Sequence, residues 1–288
     1  MILDISPDEI PQKSELLEHF RGVIEERVQE LSELDCSDAA KRVNDFCNAA
    51  LSDLEGKIAN LESDNSHKLH SILTVFYSYL VVMIESRNHY RSYDKISLTR
   101  RLGEQWDKMM KFCFTYSPSD LEIVEPVDFS IIIEGIRCRL TERYGRDDAD
   151  VTFLLSIIGA SNISLKLDLH CKQDENRYHI DFKNSFNSNE KGNTNRLLTV
   201  AEILAQSSEQ NNCLMLVRSE ENNNYLERIR NSENWEVCCG NIAYRRIQEI
   251  TGFDIGTWMD ENVDFENDFD EETVTFFRQE GLIDDVDW

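Results

Sequence analysis

Proline and glycine are scarce, 4 and 11 in 288 residues, which excludes collagen-like and Pro/Gly-rich low-complexity chains. Bases are scarce too. With 30 Lys+Arg against 55 Asp+Glu the formal charge is -25, so the chain cannot coat nucleic acid through bulk electrostatics, which needs a basic face. A local basic groove remains compatible with that total. The eight cysteines contain no Cys-x-x-Cys pair and mostly sit among apolar neighbours. They are expected as reduced core thiols of a cytoplasmic protein, not as a zinc site or disulfide framework. The start, MILDISPDEI, has neither a basic n-region nor an apolar h-region, so no secretory signal is expected. The longest nearly apolar run, Ile72 to Ile84, falls short of the ~20 residues of a membrane span and is expected as a buried helix, with no membrane contact. A Walker lysine, a G-x-G-x-x-G loop, a Ser-His-Asp elbow and internal repeats are all absent, which leaves ATP-driven and Rossmann chemistry without support.

What is present is a globular composition, 41% hydrophobic and 30% charged, at a length suited to one large or two small domains. The charge is uneven. Residues 1–70 hold 16 acids and 7 bases, and residues 251–288 hold 13 and 1. Between them, residues 87–111 carry Arg87, Arg91, Lys95, Arg100, Arg101, Lys108 and Lys111 against three acids, a local surplus that could meet a polyanion.

Apolar residues recur at helical spacing from about Lys13 to Leu34 and again from Val43 to Leu61, with Asp35 to Asp38 as turn and N-cap between them. Further helices are expected over about 66–92 and 97–114. The texture then changes. Phe129 to Ile133 is an apolar β-branched run, and Thr152 to Ile158 suits either a strand or a buried helix. Ser161 to Cys171 and Tyr178 to Phe182 alternate with period two around the polar turn Gln173 to Asn176, which predicts a β-hairpin. Thr194 to Gln206 returns to helical spacing, Cys213 to Val217 reads as a short strand, and helices are expected near 222–231 and 241–250 before an acidic tail.

With the hairpin turn centred between Asp174 and Glu175, paired residue numbers sum to 349. Asp168 then faces Asp181, Lys166 faces Lys183, and all four share one face of the sheet. Opposed carboxylates repel, and a divalent cation would relieve them; oxygen ligands with retained waters suit Mg²⁺. A neighbouring lysine can orient or deprotonate the attacking water. His170 and His179 pair in the same register, and either join such a site or form the rim of the hairpin. His67 and His70, three apart on a helix, are more simply packing residues. Acid-x-Lys occurs twice, as Glu55-Gly56-Lys57 in a helical stretch and as Asp181-Phe182-Lys183 at a strand end. Only the second has a strand-borne aspartate before it.

Asp168 followed by Asp181-Phe182-Lys183 on the next strand resembles the catalytic core of the PD-(D/E)xK nuclease superfamily, known from type II restriction endonucleases, over roughly residues 96–255. Leu167 stands where the family has proline, and Asp181 where it more often has glutamate. Asp150, beside Asp147 and Asp148, is an alternative first acid. The resemblance implies an α/β (α+β) fold with a central mixed sheet flanked by helices. The expected organisation is a helical region over 1–95 as dimer or partner surface, a nuclease core over 96–258, and an acidic tail over 259–288; if residues 260–288 screen the groove, deleting them should raise DNA affinity and unspecific cutting.

By the same resemblance the activity is Mg²⁺-dependent (or Mn²⁺-dependent) hydrolysis of double-stranded DNA by a cytoplasmic homodimer. A restriction or anti-phage system, with a partner protein of that system, would be its setting. Asp168 and Asp181 would bind the metal and Lys183 would orient the water. Glu104 on the preceding helix would complete the metal shell, unless it is only an i,i+4 partner of Lys108. Lys191 and Arg196 at a helix start, with Arg100 and Arg101, would hold DNA phosphates. Arg228, Arg230, Arg245 and Arg246, interleaved with Tyr225, Trp235, Tyr244 and Phe253, are further candidates for DNA contact through the arginines. The rival expectation, from the charge of -25, is a non-catalytic acidic interaction protein or DNA mimic that fills a partner's basic groove.

Overall fold

A computed structural model describes residues 5–127, 129–144, 166–186, 191–206, 210–219 and 224–286. The chain forms two compact units, Met1–Ser119 with Ile247–Trp288, and Asp120–Arg246.

The first unit is helical. It contains α1 (Lys13–Glu25), α2 (Val28–Ser32), α3 (Cys36–Ala59), α4 (Asn65–Tyr90) and α5 (Lys95–Thr115). The starts are set by aspartates. Asp35 caps α3 through the N–H groups of Ser37 and Asp38, Asp64 caps α4 through that of His67, and Asp94 forms a capping box with Ser97 on α5. The helix expected over 13–34 is broken in two at Glu26 and Arg27. α4 is the central element, packed against α1, α3 and α5. It is apolar on all sides because neighbours cover all of them. By length and composition alone it could cross a membrane, yet 89% of its most apolar window is buried inside the protein.

The C-terminal acidic segment, expected as an acidic tail, belongs to this unit and is folded. It forms α10 (Ile255–Asn262), α11 (Phe265–Asp268), α12 (Glu271–Gln279) and a 3₁₀ turn at Ile283–Asp285. Phe265, Phe269, Phe277, Leu282 and Val286 are buried. Many of its acids have structural work. Asp254, Asp264 and Asp270 cap the three helices, and Asp268 accepts from Lys13 Nζ and Tyr77 Oη, each at 2.8 Å.

The second unit is mixed α/β. Its elements are β1 (Glu122–Ile123), α6 (Phe129–Tyr144), β2 (Leu169–Gln173), β3 (Asn176–Lys183), α7 (Lys191–Leu204), β4 (Gln210–Val217), α8 (Asn224–Arg230) and β5 (Trp235–Cys239). α9 (Asn241–Thr251) carries the chain across the boundary into the first unit. Among the described residues the sheet has five strands in sequence order; β1–β2 and β2–β3 pair antiparallel, and β3–β4 and β4–β5 pair parallel. Each parallel step needs a crossover, and α7 and α8 supply the two.

The apolar β-branched run at Phe129 to Ile133 lies in α6. Ile132 and Ile136, four apart, both reach the apolar cluster of Leu197, Val200, Met215 and Trp235, so helical spacing over the longer segment decides the element. Thr152 to Ile158 lies outside the described residues. β5 had no expected counterpart.

Candidate functional site

The expected register holds in the hairpin. Leu169 pairs with Ile180 and His170 with His179, down to Gln173 with Asn176. The two-residue turn is closed by Asp174 in the left-handed region, φ 51°, a conformation that Asp tolerates better than most residues. β3 continues three residues past the last ladder pair. There the Asp168 side chain takes over from the missing strand, its Oδ2 accepting from the Phe182 N–H at 2.9 Å.

Parallel pairing places Asp181 beside Met215 and Lys183 beside Val217 on one face. Met215 and Val217 belong to the apolar cluster built with α7. Asp181 is therefore a carboxylate under a helix, 2% exposed, whereas the Asp168 side chain is 34% exposed. Burial pushes the Asp181 carboxyl up from its ordinary value; the Lys183 charge opposes this and Asp168 adds to it.

Three oxygens surround one ammonium. Lys183 Nζ is ion-paired with Asp181 Oδ1, donates to the Phe182 carbonyl at 3.1 Å and lies 3.9 Å from Asp168 Oδ2. Arg196 reaches down from α7, its Nη2 3.9 Å from Asp181 Oδ2, while its Nη1 donates to the Lys166 carbonyl at 3.4 Å and its Nε to Asn193 Oδ1 at 3.2 Å. Asp168, Asp181 and Lys183 are thus brought together as expected. Arg196 stands against the acids themselves instead of farther out.

The donor set fits a hard divalent cation. Two carboxylates and a carbonyl already surround a cation, the lysine ammonium. Mg²⁺ retains waters and is commonly held by one or two protein carboxylates. Among the described residues no third His, Cys, Asp or Glu side chain completes a metal-binding group with these two.

Glu104, Arg100 and Arg101 are on α5 of the helical unit, where Glu104 pairs with Arg100 at 3.8 Å and with Arg101 at 3.5 Å. Lys108, its suggested i,i+4 partner, reaches Glu55 at 2.9 Å instead. Lys191 begins α7, but its side chain lies outside the described residues, as do Asp147, Asp148 and Asp150. Of the later arginines, Arg230 pairs with Glu227 and touches Cys239 Sγ at 3.3 Å, and Arg246 pairs with Glu236 at 3.0 Å. Trp235 is core, its Nε1 donating to the Leu197 carbonyl at 3.1 Å.

The two histidines are buried and directional. His170 Nε2 accepts from the Leu167 N–H at 3.0 Å, so its proton is on Nδ1. That Nδ1–H meets His179 Nδ1 at 2.8 Å, which leaves the second proton on His179 Nε2, 2.7 Å from Asn211 Oδ1. Burial first, then the neighbouring His179, pushes His170 down to about 4, so it is neutral near pH 7. The sum of 349 shows the two histidines facing each other; Leu167 and Asn211 were not foreseen, because the first is a backbone group and the second comes from a distant strand. Compared with family models, characterised proteins and solved structures, the chain matches none.

Proposed function

We propose that residues 120–246 form a metal-dependent nuclease core of the PD-(D/E)xK kind, hydrolysing phosphodiester bonds of DNA. The observation that carries this is the convergence of Asp168, Asp181 and Lys183 at the end of a hairpin whose next element is a helix. Burying Asp181 next to Asp168 raises the free energy of the folded chain, and such a cost is commonly met where the charges have a task.

Asp168 and Asp181 would hold the ion, the first open to solvent and the second fixed beneath α7. When bound, it would polarise the scissile phosphate and acidify its water. Lys183 is paired with the Asp181 carboxylate. It acts as a donor that orients the attacking water and offsets charge developing on the phosphate. Arg196, partly exposed on the second turn of α7, is placed to bind a neighbouring phosphate oxygen. Burial of Asp181 by the α7 face keeps bulk water from that side of the site.

The test is cleavage of supercoiled and linear DNA by the purified full chain with Mg²⁺ or Mn²⁺. Cleavage is expected with the wild type and lost with EDTA. Asp168→Asn, Asp181→Asn and Lys183→Ala should each reduce it roughly 100-fold or more, the scale for losing one electrostatic group at a transition state. A wild type that cuts no DNA or RNA with either ion would sink the reading and favour the acidic mimic.

A further inference from the structure

The stretch that presents Asp168 has no strand partner, since the β2–β3 ladder begins at Leu169. Its position is set by other means. The Leu167 side chain is buried in the apolar cluster with Leu197 and Met215. The Lys166 carbonyl is held by Arg196, and Asp168 itself by the Phe182 N–H. A further anchor is the bond from the Leu167 N–H to His170 Nε2. It fixes the peptide immediately before the aspartate.

His170 can accept that bond only in one tautomer, and the tautomer is set across the sheet. Asn211 donates from Nδ2 to the Leu204 carbonyl at 3.2 Å, which leaves its Oδ1 to accept from His179 Nε2. His179 Nδ1 is then an acceptor, which requires the proton of His170 on Nδ1 and a lone pair on Nε2. Four groups from three strands and a loop form one directed chain that ends on Leu167.

We infer that His170 is a positioning residue for Asp168: its Nε2 holds the Leu167 N–H, and the His179–Asn211 chain holds His170 in the tautomer that can do so. The inference rests on the reading of Asp168 as a metal ligand. It differs from a role in chemistry, because His170 touches neither acid, and from a rim position, because it is buried. Supporting groups of this type orient metal ligands, and their loss typically weakens metal affinity roughly 10- to 100-fold.

The experiment is an electron paramagnetic resonance titration of Mn²⁺ into the full chain, with cleavage and thermal denaturation measured in parallel. His170→Leu should weaken Mn²⁺ binding roughly 10- to 100-fold. His170→Gln, whose Oε1 can replace Nε2 as acceptor, should retain most of the affinity. Asn211→Leu, distant in sequence from both aspartates, should weaken binding in the same direction by less, and it carries the test if His170→Leu fails to fold. Wild-type affinity in His170→Leu, or a loss in His170→Gln equal to that of the leucine variant, would overturn the inference. Mn²⁺ binding by a wild type that cuts no nucleic acid would sink the nuclease reading and leave the positioning role in place. A wild type that binds no Mn²⁺ would sink both.

Discussion

At the scale of single residues the site is a conflict held in place by packing. Asp181 binds its proton more tightly in the folded chain than an ordinary aspartate does, since burial is the largest influence on it. A carboxyl raised in this way favours folding at low pH, and that contribution is lost as pH rises through its folded value. Near neutrality its charge therefore opposes folding. Asp181→Asn is expected to abolish cleavage yet leave the melting temperature unchanged or a few degrees higher, because it removes both the buried charge and the repulsion with Asp168. Differential scanning calorimetry beside the cleavage assay measures the two effects together, and a large drop in melting temperature would make Asp181 a structural anchor. The nearness of Asp168 to Asp181 was legible in the sequence, because the hairpin is local and its register follows from the turn; that the ladder stops at Leu169 and Asp168 takes the Phe182 N–H was not. The burial of Asp181 was not, because it depends on β4 and α7 closing over it.

At the scale of elements, local pairing was readable and covering was not. The hairpin, α3, α4, α5 and α7 follow from periodicity, and Asp35 was visible as a cap. The run at Phe129 was ambiguous because its phenylalanine and three isoleucines fit a strand equally well, and only the later Ile136 separates the two readings. β5 was missed because it follows a polar turn and alternates poorly. The turn that sets the hairpin register can be tested directly. Asp174 has φ 51°, so Asp174→Gly is expected to stabilise the protein by up to about 1 kcal/mol and Asp174→Val to destabilise it by more. Urea denaturation of the two variants measures the difference, and equal stabilities would mean the turn adopts another conformation.

Glu85, 3% exposed, is held by Arg21 through bonds of 2.7 and 2.9 Å and accepts from the Asp270 N–H at 3.0 Å. Burial raises its pKa, against which Arg21 acts, while the Asp270 charge adds to the rise. Arg21→Ala leaves an unpaired buried carboxylate, a change that costs about 3–5 kcal/mol. Removing the cation also takes away the main influence lowering the pKa of Glu85. The variant's deficit should accordingly be largest at high pH and shrink as Glu85 protonates on acidification. Melting curves of Arg21→Ala from pH 8 to pH 5 test the sign, and a deficit that grows on acidification would contradict it.

At the scale of the whole molecule the charge and the boundaries are one problem. The two acidic ends of the sequence fold into the same helical unit, and residues 120–246 carry only 21 acids against 15 bases. A linear reading placed cuts near 95 and 258, because it could not foresee that the C-terminus returns to the first helices. The chain leaves that unit after Ser119 and re-enters it at Ile247. The Ser119 N–H and the Ser117 hydroxyl both donate to the Thr251 carbonyl, at 3.1 and 3.0 Å. An insertion with its ends bonded together in this way can be removed without opening its host. Replacing residues 120–246 by a short Gly-Ser linker is therefore expected to leave a soluble helical protein with a single cooperative urea transition. It should bind no Mn²⁺ and cut no DNA. Truncation after Asn262 removes the Asp270 N–H from Glu85, deletes the buried Phe265 and Phe277, and uncovers Tyr77, against which Phe265 packs; it should unfold the helical unit instead of freeing a DNA groove. A truncated chain that melts like the full one and binds DNA more tightly would restore the screening role for the tail. A linker variant that unfolds without cooperativity would show that the helical unit depends on its insertion.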